Sequence, residues 1–488
     1  MKQLLDSQFV PNLLLLEHFY KQTSQETITY FSEALGMDRR LILKTVHSIK
    51  KDIDNNGWQD MITINLIEKN LVARIGPLFS LQHFYAYYMS RSLCVDFVLH
   101  LFNNQTDPIE KLTDRFYVSK ATLYRRLAPL KLVLADFDLT LDFTNGKKQL
   151  IGSEKQIRYF YFTLFWEVFR SFPYSKNLLI DFENDFFQSF YNNHTLPIQL
   201  ITVFELHFEI ALHRIEQGYM MENFPTYELP EIYFSFSSFQ DVAYSYFSPY
   251  SISESQIENE LLALYFSIVT STLYSKKECL NISLNNIPWS SYRIPIIQKS
   301  ISYFTTFFEL ELSNEEYLYL LVNVYYLQLK RSVFNGGTLH FEFNSVDEVL
   351  AEDNQYVLNQ ANRFFLFLDT KKPQFHVSKF YKLYYTLLLR RIIFNASPSL
   401  QVLICSKVGL EEQRWLEKRI SDISTVPIQF HDTWTPDTAF DLIISDFQLH
   451  QKYIPKDPDN YLLLLAFPDS SEWVKIIVRL EKIYFNKK

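Results

Sequence analysis

The sequence predicts a mostly α-helical, multidomain protein: helix-turn-helix units with hairpin wings first, two helical bundles next, and a small α/β domain last. Three observations predict it. Residues 1–158 hold two stretches in which a short apolar helix, a turn and a capped, basic second helix follow one another. From Ser153 to about Pro398 apolar residues recur at helical spacing, with few Gly and no β-rich stretch of any length. After Ser399, short apolar runs alternate with helical ones. At 488 residues the chain exceeds what one hydrophobic core supports, so roughly three to five domains are expected.

The first unit, residues 1–69, centres on ETITYFSEALGMDRRLILKTVHSIKKDI. A helix is predicted from about Glu26 to Leu35, ending at Gly36, a residue suited to the left-handed turn. Asp38 can then cap a second helix by accepting from one of its orphan amides. Arg39, Arg40 and Lys44 lie near the start of that helix, on faces not claimed by Leu41, Val46 and Ile49. MITINLIEKNLVARI alternates as a strand, a turn at Glu68 to Asn70 and a second strand, which makes a wing.

The second unit, residues 70–159, is the more basic. Between Lys111 and Lys131, KLTDRFYVSKATLYRRLAPLK carries six Lys and Arg against Asp114, a net +5. Leu112 and Phe116 turn a short first helix inward, and Ser119 caps a second that starts at Lys120. Ala121, Leu123, Leu127 and Leu130 are spaced to pack toward a core, which leaves Lys120, Thr122, Tyr124, Arg125 and Arg126 on other faces. LTLDFTNGKKQLI reads as a hairpin around Asn145-Gly146, with Lys147 and Lys148 at its tip. A helix of this kind suits the DNA major groove, and a basic hairpin beside it suits the backbone or minor groove. Arg39, Arg40, Lys44, Ser119, Lys120, Thr122, Tyr124, Arg125, Arg126, Lys147 and Lys148 are therefore the candidate DNA-binding residues. Many of them suit phosphates and few suit adenine edges. Binding to double-stranded promoter DNA is thus expected to depend on salt and to read shape, on A·T-rich or curved sites.

Two weakly similar stretches follow. FELHFEIALHRIEQG (Phe204 to Gly218) and LVNVYYLQLKRSVFNG (Leu321 to Gly336) each run an apolar helix into an Arg and then a Gly. They predict two related bundles over residues 160–287 and 288–397. Within residues 398–488, QVLICS, VPIQFH, DLIISD and YLLLLAF read as strands, and GLEEQRWLEKRIS and SSEWVKIIVRLEKIYF as helices. That alternation predicts a small α/β domain with a mostly parallel sheet.

Charge is divided unevenly along the chain. Residues 1–160 carry 20 Lys and Arg against 17 Asp and Glu, net +3, and the remainder 27 against 38, net −11. A polyanion is expected at the N-terminal third and repelled elsewhere. The 44 Phe and 32 Tyr fit A·T-rich codon usage better than a stacking surface. Cys94, Cys279 and Cys405 are widely separated and odd in number, which argues for a reducing compartment. No signal peptide is read, and the longest apolar-leaning uncharged run, Leu261 to Ser275, is too short and polar to span a bilayer. A soluble cytoplasmic protein with no membrane partner is expected.

No Gly-rich phosphate-cradling loop, nucleophile elbow, HExxH or metal-ligand spacing occurs, so no enzyme activity, cofactor or metal is expected. His207 and Arg214 stand seven residues apart and so fall on nearly the same helix face. There the guanidinium could steady a phosphoryl group on the imidazole; the plainer reading is a half-buried histidine in a bundle. In the second stretch the matching position is Tyr325, which leaves His340 and His376 as the nearest alternatives. Cys405 closes the first strand of the α/β domain, but its loop, SKVGLEE, has one Gly and two acidic residues, which favours a structural thiol.

LTDRFYVSKATLYRRL and LTLDFTNGKKQLIGSEKQIRYF, with HFEIALHRIEQG and the order of the parts, resemble the Mga/AtxA family of virulence and global transcriptional regulators from low-GC Gram-positive bacteria. The resemblance covers essentially the full length. It implies two DNA-binding helix-turn-helix units, two domains similar to the phosphotransferase-system regulation domains (PRD-like), and a C-terminal domain similar to the EIIB component of that sugar-uptake system. It also implies a homodimer or higher oligomer, formed largely through the C-terminal parts. On the same resemblance His207 matches a position phosphorylated by a phosphotransferase-system phosphocarrier, and His376 a second, whereas Tyr325 and the Cys405 loop depart from the pattern. The expected function is a DNA-binding transcriptional regulator, an activator tuned by that phosphorylation. The rival readings are a phosphocarrier working through Cys405 and a protein-interaction scaffold that has lost DNA binding.

Overall fold

A computed structural model describes residues 2–21, 24–103, 107–143, 150–169, 196–280, 282, 287–336, 346–377, 379–395, 398–424, 426–435, 438–455 and 457–486. By packing, the chain forms two compact units, Met1–Ser291 with Tyr325–Phe343, and Tyr292–Val324 with Asn344–Lys488. The architecture is mostly helical, with a small parallel sheet near the C-terminus.

The first unit begins with α1 (Val10–Lys21), which buries Leu13, Leu15, Leu16 and Phe19. Then come β1 (Gln25–Thr27), α2 (Ile28–Leu35), α3 (Arg39–Asn56), β2 (Ile62–Ile67) and β3 (Asn70–Ile75). The first predicted helix starts later than Glu26, because the Thr27 hydroxyl accepts from the Tyr30 amide at 3.1 Å and nucleates it there. Gln25–Thr27 instead pair antiparallel with β3, which gives a sheet of order β1-β3-β2. β2 and β3 meet across Glu68 and Lys69, with Ile67 opposite Asn70, so the wing is a tight hairpin. Glu68 takes a left-handed φ of 56° to close it. On α3 the core face is Ile42, Val46, Ile49 and Ile53, while Leu41 is only half-buried.

The second helix-turn-helix is α6 (Ile109–Phe116) and α7 (Lys120–Asp136), supported by α4 (Leu81–Ser90) and α5 (Leu93–Phe102) and followed by β4 (Thr140–Leu141) and β5 (Leu150–Ile151). Asp52 ties α3 to α4 by accepting from Tyr88 at 3.0 Å, Tyr87 at 3.1 Å and the neighbouring Arg91 at 2.9 Å. Directly after β5, α8 (Glu154–Phe169) runs into a helical bundle with α9 (Ile198–Glu216), α10 (Phe236–Phe247), α11 (Glu254–Val269) and α12 (Lys276–Leu280).

A buried ion network fixes that junction. Glu154 accepts from Arg214 of α9 at 2.8 and 2.7 Å and from Arg158 at 3.0 Å, and Arg158 reaches Glu260 of α11 at 2.9 Å. Two cations thus neutralise two carboxylates out of water, an arrangement in which loss of any one member strands its partner at about 3–5 kcal/mol.

The second compact unit contains α13 (Arg293–Phe308), the start of α14 (Asn314–Val333), α15 (Val346–Asp369) and α16 (Lys379–Asn395). Phe304 packs on Phe364 with ring centroids 5.4 Å apart, and Phe307 on Phe367 at 5.1 Å. Here the aromatic residues fill a core rather than a surface, in the offset and edge-on geometries their quadrupoles prefer. The α/β segment has β6 (Leu400–Cys405), α17 (Leu410–Ile423), β7 (Ile428–His431), β8 (Leu442–Ser445), β9 (Tyr461–Leu463) and α18 (Ser470–Asn486). Its strands are all parallel in the order β7-β6-β8-β9, as the alternation predicted. Leu400, Val402, Ile404, Leu416, Ile420, Ile476 and Leu480 form its core. Among the described residues no helix is long and apolar enough to cross a membrane.

Candidate nucleic-acid interface

The basic face of α7 follows from how the helix starts. The backbone at Tyr117 turns left-handed (φ 52°), the Tyr117 and Val118 amides donate to Asp114 and Thr113, and the chain leaves α6 at that point. Two residues on, Ser119 Oγ accepts from the Thr122 amide at 3.2 Å and bonds the Thr122 hydroxyl at 2.9 Å. Leu123, Leu127, Leu130, Val133 and Leu134 are then buried, and this stripe decides what remains outside. Lys120, Arg125 and Arg126 are exposed, and Thr122 and Tyr124 are half-buried.

Two sequence expectations need correction here. Ala121 is exposed, because the stripe begins only at Leu123, and Phe116 is half-buried at the mouth of the turn. Thr122 serves the cap through both its amide and its hydroxyl, so its first role is to start the helix.

Among the described residues the polar contacts around this face are few and weak. Lys120 lies 3.9 Å from Glu110, with both side chains mostly solvated, so the pair restrains the cation little. Tyr124 meets Phe143 edge-on at 5.6 Å, and Lys131 sits over the Tyr124 ring at 5.5 Å, so Tyr124 joins the helix to the hairpin arm. The arms themselves pair as Thr140 with Ile151 and Leu141 with Leu150. The hairpin tip with Asn145, Gly146, Lys147 and Lys148 lies outside the described residues.

The first unit repeats the arrangement. Gly36 is left-handed (φ 63°), Gly36 and Met37 donate to Glu33 and Ser32, and Asp38 accepts from the Leu41 amide at 2.8 Å. Arg39, Arg40 and Lys44 are exposed near the start of α3. Lys69 is also exposed, at the tip of the wing between β2 and β3. Lys69 is absent from the residues that sequence pattern alone selects, although its place in the turn was the signal.

The candidate phosphoryl acceptors differ in setting. His207 on α9 is buried, stacked on Phe162 with centroids 3.7 Å apart, and its Nε2 lies 3.1 Å from the Ser271 hydroxyl. Burial, with the buried Lys330 cation adding, holds its pKa well below the ordinary histidine value. Arg214 does not serve it: the guanidinium is taken by Glu154 and lies 3.9 Å from the Tyr219 ring centre. His376 is about half-exposed (side chain 52%), with Nδ1 2.6 Å from Asp369 Oδ1. Tyr325 donates to the Glu228 carbonyl at 2.9 Å, and His340 lies outside the described residues.

Cys405 ends β6 half-buried, and burial, then Asp446, pushes its thiol pKa up. The Ser406 hydroxyl and Lys407 amide, donors that a phosphate would want, already bind Asp446 at 2.9 and 2.7 Å. A carboxylate thus fills the place an activated thiolate would need electropositive. Among the described residues no group of three or more His, Cys, Asp or Glu could hold a metal ion.

Comparison with known proteins meets this geometry at the second unit. Residues 77–165, from before α4 into α8, match the Mga helix-turn-helix domain. A Streptococcus pneumoniae serotype 4 protein described as "Putative trans-acting regulator" is 28% identical over 199 residues. That alignment takes in 37% of this chain and spans 38% of the relative's length. Over residues 77–165 the family resemblance read from the sequence therefore holds: this part of the chain is similar to the helix-turn-helix domain of the Mga family of regulators.

Proposed function

We propose that the chain is a DNA-binding transcriptional regulator that grips duplex DNA mainly through α7. One arrangement supports the reading: Lys120, Arg125 and Arg126 stand exposed on a Ser119-capped helix inside the Mga-type match. Cations so placed reach phosphates and guanine edges, and Lys147 and Lys148, read from the sequence alone as a hairpin tip, are expected to extend the grip along the backbone. Arg39, Arg40 and Lys44 on α3 form the second, weaker contact. We read the protein as a cytoplasmic activator that works as a homodimer or larger assembly on A·T-rich or curved promoters, with its PRD-like bundles and EIIB-like end adjusting how often the N-terminal units are engaged.

The adjustment is assigned to phosphorylation by a phosphotransferase-system carrier. His376 is the better placed acceptor, because it is half-exposed and Asp369 orients its ring and stabilises the positive charge that a phosphorylated imidazole bears. His207 would first have to leave its stack on Phe162.

Two experiments test this. Titrating the full chain into a fluorescent mixed-sequence duplex at about 50 mM salt should give binding that Arg125→Ala/Arg126→Ala weakens about 100-fold with an unchanged circular dichroism spectrum. Equal binding by wild type and variant would remove α7 from the account. Incubation with phosphoenolpyruvate and the general phosphocarrier proteins should place an acid-labile phosphate on the chain that His376→Ala abolishes; a label that survives that change, or no label, overturns the regulatory part.

A further inference from the structure

The turn between α6 and α7 holds a residue that the fold does not ask for. At the matching turn of the first unit stands Gly36, left-handed and with open space where a side chain would project, and glycine pays no steric penalty there. Tyr117 holds the same conformation with the same pair of backbone hydrogen bonds and the same two-residue step to the N-cap, Tyr117 to Ser119 as Gly36 to Asp38. A bulky L-residue in this region is strained, and burial gives nothing back, since Tyr117 is 95% exposed. Among the described residues its side chain makes no hydrogen bond. The ring stands at the entry to the basic helix, on a turn shared with the exposed Lys120.

We propose that Tyr117 is a DNA contact, its hydroxyl donating to a backbone phosphate and fixing the angle at which α7 enters the groove. Tyrosine hydroxyls are among the neutral groups that bind DNA phosphates, and such contacts set register without reading sequence. The inference rests on the DNA-binding reading of α7. It adds a positioning residue that carries no charge, so its contribution is distinguishable from that of the arginines: it displaces no counterion.

The test is anisotropy titration of the full chain with a mixed-sequence duplex, for wild type, Tyr117→Gly, Tyr117→Phe and Arg125→Ala/Arg126→Ala, across a salt series. Tyr117→Gly and Tyr117→Phe should each lose about tenfold in affinity with the slope of log affinity against log salt unchanged, while the double arginine variant flattens that slope. The thermal midpoint of Tyr117→Gly should equal or exceed that of wild type, which rules out misfolding as the cause. Wild-type affinity in Tyr117→Phe overturns the hydroxyl contact, and wild-type affinity in Tyr117→Gly overturns any contact. A change of oligomeric state in Tyr117→Gly without loss of DNA binding assigns the ring to a protein neighbour and also overturns the proposal. If wild type itself binds no duplex, the reading of α7 fails and Tyr117 with it; if only the arginine variant loses binding, Tyr117 alone is wrong.

Discussion

Two helix-turn-helix units in one chain, α2–α3 and α6–α7, share a backbone plan and differ in charge. Each leaves its first helix through a left-handed residue, caps its second with an oxygen two positions on, and carries a hairpin beyond. Yet residues 26–46 carry three basic and three acidic side chains, net 0, whereas residues 111–131 carry six against one, net +5. Since phosphate attraction scales with the cations presented, on the proposed reading the same scaffold makes a weak site in one place and a strong one in the other. Fold alone therefore does not grade the two units, and side-chain charge does.

The largest expected difference is in DNA affinity. Arg39→Ala/Arg40→Ala should cost about tenfold, against about 100-fold for Arg125→Ala/Arg126→Ala, when both are titrated against one duplex. Equal losses would break the comparison, because they would make α3 a full partner. Cap removal comes next. Ser119→Ala and Asp38→Ala should each lower stability by about 1 kcal/mol in urea unfolding, and a markedly larger loss at Ser119 would show that its bond to Thr122 adds to the cap.

Exchanging the turn residues sharpens the comparison further. Gly36→Tyr should cost about 1 kcal/mol, since nothing crowds the site and only the backbone objects; an unchanged thermal midpoint would mean the strain assigned to Tyr117 is absent. The smallest effect is the share that His18 of the first unit, alongside the buried His207, contributes to the pH dependence of stability. His18 of α1 is buried edge-on against Phe31, and burial lowers its pKa from 6.5. The folded state favours the neutral ring, so the unfolded chain binds the extra proton, and stability is full above pH 6.5 and declines as pH falls below it. His18→Phe should lessen that decline in the urea midpoint, leaving the part due to His207, and a decline that persists unaltered would assign all of it elsewhere.

Local chemistry was legible without coordinates. Gly36, Asp38 and Ser119 announce their turns and caps because each acts on amides one to three residues away. Leu123, Leu127 and Leu130 are buried as their spacing predicts, and the parallel strands after Ser399 follow from apolar runs of the right length. β1 was not legible: Gln25, Glu26 and Thr27 have no apolar alternation, and they become a strand only because β3 offers an edge. Nor was Arg214 readable as the partner of Glu154, 60 residues earlier, or Asp446 as the carboxylate that fills the Cys405 loop, 40 residues away.

By itself the sequence determined where α3 and α7 start and that positive charge gathers on α7, because caps, periodicity and formal charge act over a few residues. Only the tertiary structure decided which polar groups are already spoken for: Arg214 by Glu154, Thr122 by Ser119, the Cys405 loop by Asp446. It also decided that Tyr117 stands in solvent while His207 lies in a stack. The physical reason is that a charge or ring gains its role from its neighbours in space, and the chain brings those neighbours together only when its cores close.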